Sequence, residues 1–226
     1  LGFAGVYFGN SGAEANEAAI KLARKYGQLN GGSKRKTIVT LESSFHGRTL
    51  ATLTATGQEK FHPDCFAPYP EGFKTIKPND FDSLKNAFDD TTAALFIECI
   101  QGEGGVNLID SQWAKEAAQA ARNAGAIVMA DEVQTGVGRT GYFLASDELG
   151  FEPDVEKKKK GIAGGIPMGA CLFRGKAKDI FVAGDHQSTF AGNPLACAAA
   201  QVVLDTVNDK DFLYDVVQKG EYIRNV

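Results

Sequence analysis

Acidic and polar residues follow several apolar segments of this 226-residue chain, and their types suit a ligand site. The clearest case is Asp131, which ends the apolar run 126–130 without a Gly or Pro to account for the change. Apolar runs without alternation are typical of parallel strands that are buried on both faces. Ligands of open α/β sheets bind beyond the carboxyl ends of such strands, so Asp131 is predicted to face a ligand. A single acid at a strand end is more often only exposed, and this hypothesis therefore depends on the other motifs.

A short predicted strand, a turn of small residues and a helix start near the amino end predict an anion site. Ser11 and Glu14 have the spacing of a capping box, which predicts that the helix begins at Ser11. Free backbone N–H groups and the helix dipole converge there, next to Gly12 and Ala13, and favour phosphate. Most caps of this kind serve only the helix, so this site too needs support from the rest of the chain.

A glycine-rich segment raises a competing hypothesis, a dinucleotide-binding fold. Residues 136–141 match G-x-G-x-x-G. That fingerprint requires its first glycine at the strand end and a helix that opens at its third glycine. Residues 131–135 intervene here, and residues 142–144 do not resemble a helix start, so the dinucleotide interpretation is disfavoured.

The polar groups together are typical of a site for pyridoxal 5'-phosphate (PLP). This cofactor needs a lysine for covalent attachment, an acid at its pyridine nitrogen, an anion site and flat packing on its ring faces. Lys160, Asp131, residues 11–13, and Phe45 with Val133 provide these groups in turn.

Alternating strands and helices must position these groups. Predicted strands over residues 37–41, 93–99 and 126–131 are separated by predicted helices and short connections. This order is typical of right-handed βαβ units, so the predicted fold is α/β with a mostly parallel sheet flanked by helices.

Composition excludes several classes of protein. A hydrophobic content of 43% with 23% charged residues is ordinary for a soluble globular chain. The net charge of −4 and the lack of an arginine-rich face argue against nucleic acid, and no apolar run is long enough for a membrane span. The four cysteines have no CxxC or zinc-like spacing, which predicts no metal site and a cytoplasmic location.

Six motifs make the chain resemble the class III, ornithine-type PLP aminotransferases. They lie between residues 6 and 200 and comprise NSGAEANEAAIKLAR, FHGRT, ECIQGEGG, ADEVQTGVGRTG, a Lys-Gly after Pro-Asp, and STFAGNPLA. The resemblance implies that residues 1–226 are the large, cofactor-binding domain of a fold-type I PLP enzyme. It also implies that segments at both ends are absent, among them the small carboxyl-terminal domain. Amino acid and 2-oxo acid substrates and a homodimer with shared active sites are further implications.

The resemblance implies a role for each motif residue. Lys160 and Asp131 are the two catalytic residues that it implies. Cofactor contacts are implied for a larger set: Ser11, Gly12, Ala13, Phe45, His46, Asp131, Val133, Gln134, Lys160 and, towards the partner subunit, Thr189. Glu98 and Glu103 are implied to line the substrate side.

The implied reaction is transfer of the δ-amino group of N-acetylornithine to 2-oxoglutarate, in arginine biosynthesis. It is implied because residues 70–73, 102–106 and 184–186 are most similar to the family members that catalyse this reaction. Two alternatives stay open. One is an aminotransferase for another ω-amino acid, such as ornithine or 4-aminobutyrate, and the other is an inactive PLP-domain fragment. The second arises from residues 156–159, Glu-Lys-Lys-Lys, because consecutive charges are costly in a buried strand and predict an exposed or altered segment.

Overall fold

A computed structural model describes residues 2–158 and 161–226 of the chain. A mixed sheet of seven strands forms the centre of this structure. The strands of these residues are β1 (Gly5–Gly9), β2 (Thr37–Leu41), β3 (Phe73–Ile76), β4 (Thr92–Glu98), β5 (Ile100–Gln101), β6 (Asn107–Leu108), β7 (Ile127–Glu132), β8 (Val155–Lys158) and β9 (Gly169–Phe173). The helices are α1 (Gly12–Gly31), α2 (Leu50–Ala55), α3 (Phe81–Leu84), α4 (Ser111–Asn123), α5 (Ala145–Leu149), α6 (Pro194–Val207) and α7 (Lys210–Arg224).

The strand order in this sheet is β1-β9-β8-β7-β4-β2-β3, and β5 and β6 form a separate hairpin. Strands β8, β7, β4, β2 and β3 run parallel to one another, whereas β9 is antiparallel to both β8 and β1 at one edge. The prediction of a mostly parallel sheet with flanking helices is therefore confirmed. The register sets Glu98, the last residue of β4, beside Asp131, the second-last residue of β7, so two carboxylates lie on neighbouring strands at the same edge.

Helices cover both faces of the sheet, which explains the continuous apolar runs of its central strands. Every residue of β4 and β7 is buried. Helix α1 packs with Ala18, Ala19 and Leu22 on one face, and α4 packs with Trp113 and several alanines on the other. Small side chains let each helix approach the sheet closely, and this dense packing fixes the positions of the strand ends.

Side chains cap the starts of three helices, and the cap at Ser11 is the predicted one. The side chain of Ser11 caps α1, Asp110 caps α4, and Asn193 caps α6 directly before its first residue, Pro194. The glycine-rich segment 136–141 forms turns, and α5 starts only at Ala145, so the dinucleotide arrangement is absent from this described segment. No helix of the described residues is both long and apolar enough to cross a membrane.

The charged run 156–159 was predicted to be exposed or altered, and the structure differs from this prediction at Glu156. Its residues 156–158 belong to β8, which pairs with β7 on one side and β9 on the other, and Glu156 is fully buried. An exposed segment was therefore the wrong expectation for Glu156. A nearby cation contributes to the reason, because Nη2 of Arg174 lies 3.6 Å from Oε1 of Glu156. Residues 159 and 160 lie outside the described residues.

Candidate active site

A cavity of about 210 Å³ lies at the sheet edge where β4 and β7 end. Most of the residues predicted for cofactor binding meet in it. Its lining comprises Ser11, Gly12, Ala13, Asn16, Phe45, His46, Gly47, Arg48, Glu98, Asp131, Val133 and Gln134. The segments that the sequence separates by more than 100 residues are thus brought together by the strand order.

The start of α1 lines the part of the cavity that was predicted to bind an anion. Oγ of Ser11 accepts a hydrogen bond from the N–H of Glu14 at 3.1 Å. The reciprocal bond of a capping box is replaced, because the Glu14 carboxylate accepts from the N–H of Asn10 at 2.9 Å instead. The first N–H groups of a helix have no partner within it, so those at Gly12 and Ala13 suit a phosphate group.

Asp131 provides the negative end of the cavity, and groups of Asn16, His46 and Val133 hold its carboxylate. Oδ2 accepts from Nδ2 of Asn16 at 2.9 Å and lies 2.7 Å from Nδ1 of His46. Oδ1 accepts from the N–H of Val133 at 3.1 Å. Asp131 is 4% exposed, and burial of an ionised acid is tolerated only with such hydrogen bonds. The carboxylate is thereby held in a single orientation.

The loop after β2 presents Phe45 and His46 from a fixed backbone. The N–H of Phe45 donates to Oε2 of Glu98 at 2.8 Å, and the N–H of His46 donates to Oγ1 of Thr56 at 3.0 Å. The His46 ring stacks on Phe96, with 3.7 Å between centroids. Glu98, expected on the substrate side, therefore lines the cavity and also fixes the position of Phe45.

Two glycines leave room for the groups of the site. A Cβ atom at Gly102 would lie 2.8 Å from Oε1 of Gln134, so this glycine lets the Gln134 side chain lie against it. A Cβ atom at Gly169 would lie 2.3 Å from the carbonyl oxygen of Ser11, so β9 approaches the start of α1 closely. Neither glycine was identified from the sequence as part of the site.

Two of the predicted residues do not belong to the cavity lining, and the position of a third is not described. Lys160 lies outside the described residues. Glu103 and Thr189 are exposed and do not belong to the cavity lining. Their roles therefore stay predictions.

The sequence interpretation missed Asn16, Gly47 and Arg48, which all line the cavity. Asn16 carried a detectable signal, because it lies three and four residues before the buried Ala19 and Ile20, on a face that otherwise consists of apolar residues. Arg48 packs its guanidinium 4.2 Å from the ring centroid of Phe61 and 5.4 Å from that of Phe45. This contact with Phe61, a residue 13 positions later in the chain, has no signal in the local sequence.

The residues present fit PLP. The cavity exceeds the roughly 150 Å³ of an engineered cavity that holds benzene, so a substituted pyridine ring has room. A helix start for phosphate and a fixed carboxylate for a ring N–H bond both reach this space. Phe45 and Val133 supply apolar surface for the ring faces. Among the described residues, no group of three His, Cys, Asp or Glu side chains could hold a metal ion.

Comparisons with known proteins give one consistent family. The sequence model of the class-III aminotransferases matches residues 3–226. Acetylornithine aminotransferase of Caldanaerobacter subterraneus subsp. tengcongensis is 48% identical over 97% of this chain and 55% of its own length. That of Aquifex aeolicus is 46% identical over 97% of the chain and 57% of its own length. The chain thus spans about half the length of the curated relatives it matches.

Solved structures agree with the sequence comparisons. The ornithine aminotransferase of Toxoplasma gondii superposes with a TM-score of 0.88 at 34% identity, over 94% of this chain and 51% of the other. An (S)-enantioselective omega-transaminase from Thermomicrobium roseum gives a TM-score of 0.81 at 30% identity, over 90% and 52% of the two chains.

Proposed function

Because the chain belongs to the class-III aminotransferase family, we propose that the protein carrying it is a PLP-dependent acetylornithine aminotransferase. It transfers the δ-amino group of N-acetylornithine to 2-oxoglutarate. The observation that carries this proposal is the 48% identity to an acetylornithine aminotransferase over almost the entire chain. The ornithine alternative has weaker support, at 34% identity to an ornithine aminotransferase.

We assign the cofactor-binding roles to the residues of the cavity. PLP, when bound, supplies an electron sink for the negative charge that develops on the substrate carbon. Residues 11–13 bind its phosphate, and Phe45 and Val133 cover its ring faces. Asp131, held by its three neighbours, keeps a proton on the pyridine nitrogen. Gln134 donates a hydrogen bond to the phenolic oxygen.

Lys160 is the residue that we propose to attach the cofactor and to move the proton with its Nζ. The register of β8 supports this assignment, because Asp131 pairs with Lys157 and β8 ends at Lys158. Strand β8 runs parallel to β7, so the carboxyl ends of these two strands lie at the same edge of the sheet. Among the described residues, no lysine belongs to the lining of the cavity.

Arg48 suits the carboxylate of an amino acid or 2-oxo acid substrate. It is exposed, lines the cavity and is held over the rings of Phe45 and Phe61. A guanidinium can bind a carboxylate through two parallel hydrogen bonds, which orients the substrate as well as attracting it. We propose Glu98 and Glu103 as further residues on the substrate side.

The partner in the proposed assembly is a second copy of the chain. Thr189 is exposed, which suits a hydroxyl that contacts the phosphate in the partner's site. A cytoplasmic location is also proposed, since Cys65, Cys99 and Cys197 form no disulfide bond.

The proposal is tested by fixing the cofactor and by comparing amino donors. Borohydride added after PLP should attach the cofactor irreversibly, and peptide mapping should find it on Lys160. N-acetylornithine should then be a better donor to 2-oxoglutarate than ornithine or 4-aminobutyrate. An adduct on Lys157, Lys158 or Lys159 contradicts the assignment of Lys160, and a preference for another donor contradicts the proposed substrate.

A further inference from the structure

We infer that Asn16 is a positioning residue that holds the carboxylate of Asp131 at a set distance from the phosphate-binding start of α1. This inference rests on the proposed function, because it assumes that PLP occupies the cavity. Asn16 itself need not touch the reacting atoms. Its action on the cofactor passes through Asp131.

The side chain of Asn16 connects two parts of the site. Its Nδ2 donates to Oδ2 of Asp131 at 2.9 Å and to the carbonyl oxygen of His46 at 2.6 Å. All three residues are buried, and Asn16 is 2% exposed. One amide group therefore ties α1 both to the end of β7 and to the loop that carries Phe45.

The orientation of this amide is determined by its neighbours. Rotating it by 180° would place Oδ1 against a carbonyl oxygen and a carboxylate oxygen, which would repel it. In the observed orientation Oδ1 is buried without a hydrogen-bond partner among the described residues. A buried acceptor without a partner costs stability. If Asn16 served only to stabilise α1, it would not need a buried Oδ1 without a partner. The two hydrogen bonds that Nδ2 donates, to Asp131 and to the carbonyl oxygen of His46, explain the presence of Asn16 better than the stability of α1 does.

Helix α1 then acts as a spacer between the two ends of the cofactor. Its first turn begins after Ser11, and Asn16 lies five residues further on, about 7.5 Å along the axis at the rise of an α-helix. A rigid helix keeps this distance constant. Both the phosphate group and the ring nitrogen of PLP are thus placed by the same element, which pre-organises the site before the cofactor binds.

The experiment compares two cofactors in Asn16→Ala and the parent protein. The first is PLP, and the second is its 1-deaza analogue, in which a carbon replaces the pyridine nitrogen. Affinities are measured with the apo protein by equilibrium dialysis, so the readout does not depend on turnover. Asn16→Ala should bind PLP about tenfold more weakly, since one hydrogen bond that orients Asp131 is lost. The affinity for the deaza analogue should change less than twofold, because that ring makes no such bond to Asp131.

Two further variants make the comparison specific. Asn30→Ala removes an exposed amide of the same helix, whose Nδ2 donates to the carbonyl oxygen of Tyr26, and should leave both affinities unchanged. Asp131→Asn should reproduce the selective loss for PLP. Asn16→Ser, which keeps a donor, should recover part of the PLP affinity and serves in place of Asn16→Ala if that variant does not fold.

An equal loss for PLP and the deaza analogue overturns the inference, because Asn16 would then support the cavity only in a general way. Unchanged PLP affinity overturns it as well, as does failure of both Asn16 variants to fold. Absence of PLP binding by the parent protein instead refutes the proposed function, and the two failures are thus distinguishable.

Discussion

The close approach of β9 to the start of α1 predicts an unusually large effect for a single added methyl group. In Gly169→Ala the new Cβ would lie 2.3 Å from the carbonyl oxygen of Ser11 and 2.9 Å from its carbonyl carbon. Ordinary contacts between carbon and oxygen are longer by about 1 Å. Both atoms belong to the backbone, so no side-chain rotation can relieve the contact. The start of α1 must move away from β9.

The expected magnitude follows from this displacement. Overpacking of this kind costs about 1–3 kcal/mol in the free energy of unfolding. For a chain of this size a loss of about 2 kcal/mol lowers Tm by roughly 4–8 °C. A shift of about 1 Å at Ser11 also removes at least one charge-assisted hydrogen bond to the phosphate, which is worth about 1.5–3 kcal/mol, or about tenfold or more in affinity.

The assay pairs a thermal melt of the apo protein with titrations of PLP and of pyridoxal, which lacks the phosphate. Gly169→Ala should lower Tm and weaken PLP far more than pyridoxal. Gly220→Ala is the matched control, because a Cβ there meets nothing within 4 Å and the residue lies inside helix α7. That variant should gain about 1 kcal/mol and leave the affinity for PLP unchanged. Normal Tm and PLP affinity in Gly169→Ala would refute the close approach on which this reasoning depends.

Two further predictions concern the assembly and the pH dependence of stability. Mixing Thr189→Ala chains with Lys160→Ala chains should restore PLP binding in hybrid dimers, since one hybrid site carries both changes and the other carries neither. A stable PLP-bound monomer in size-exclusion chromatography would contradict the shared site. Burial and the neighbouring Glu132 raise the pKa of the Cys99 thiol well above its ordinary value. The unfolded thiol ionises above about pH 8.5, so stability is fully present below that pH and falls above it by up to about 1.4 kcal/mol per pH unit. Between pH 8 and pH 10, denaturant unfolding should show a smaller loss in the free energy of unfolding for Cys99→Ala than for the parent protein. The control Cys65→Ala, which changes an exposed cysteine, should lose as much as the parent does. Equal losses for Cys99→Ala and the parent would contradict the prediction.

Local sequence was sufficient for the elements and for most of the site. Continuous apolar runs predicted the buried strands β4 and β7, because their alternatives would expose too much apolar surface. Side chains that cap helices act within four residues, so Ser11 marked the start of α1 correctly. Ser11, Phe45, Asp131 and Val133 were predicted from the residues, because strand ends of an α/β sheet share an edge. His46 and Gln134 were predicted only through the resemblance to the family.

Contacts between distant segments required the tertiary structure. Asn16 and Asp131 are 115 residues apart, and only the packing of α1 against the sheet brings the amide to the carboxylate. The same holds for Gly169, whose missing side chain matters only because β9 lies beside Ser11. Glu156 gives the converse case: its charge predicted exposure, yet strand pairing on both sides and the nearby Arg174 keep it buried. Spacing along the chain determines which residues can share a helix or a strand, whereas the packing of the sheet determines which of them meet.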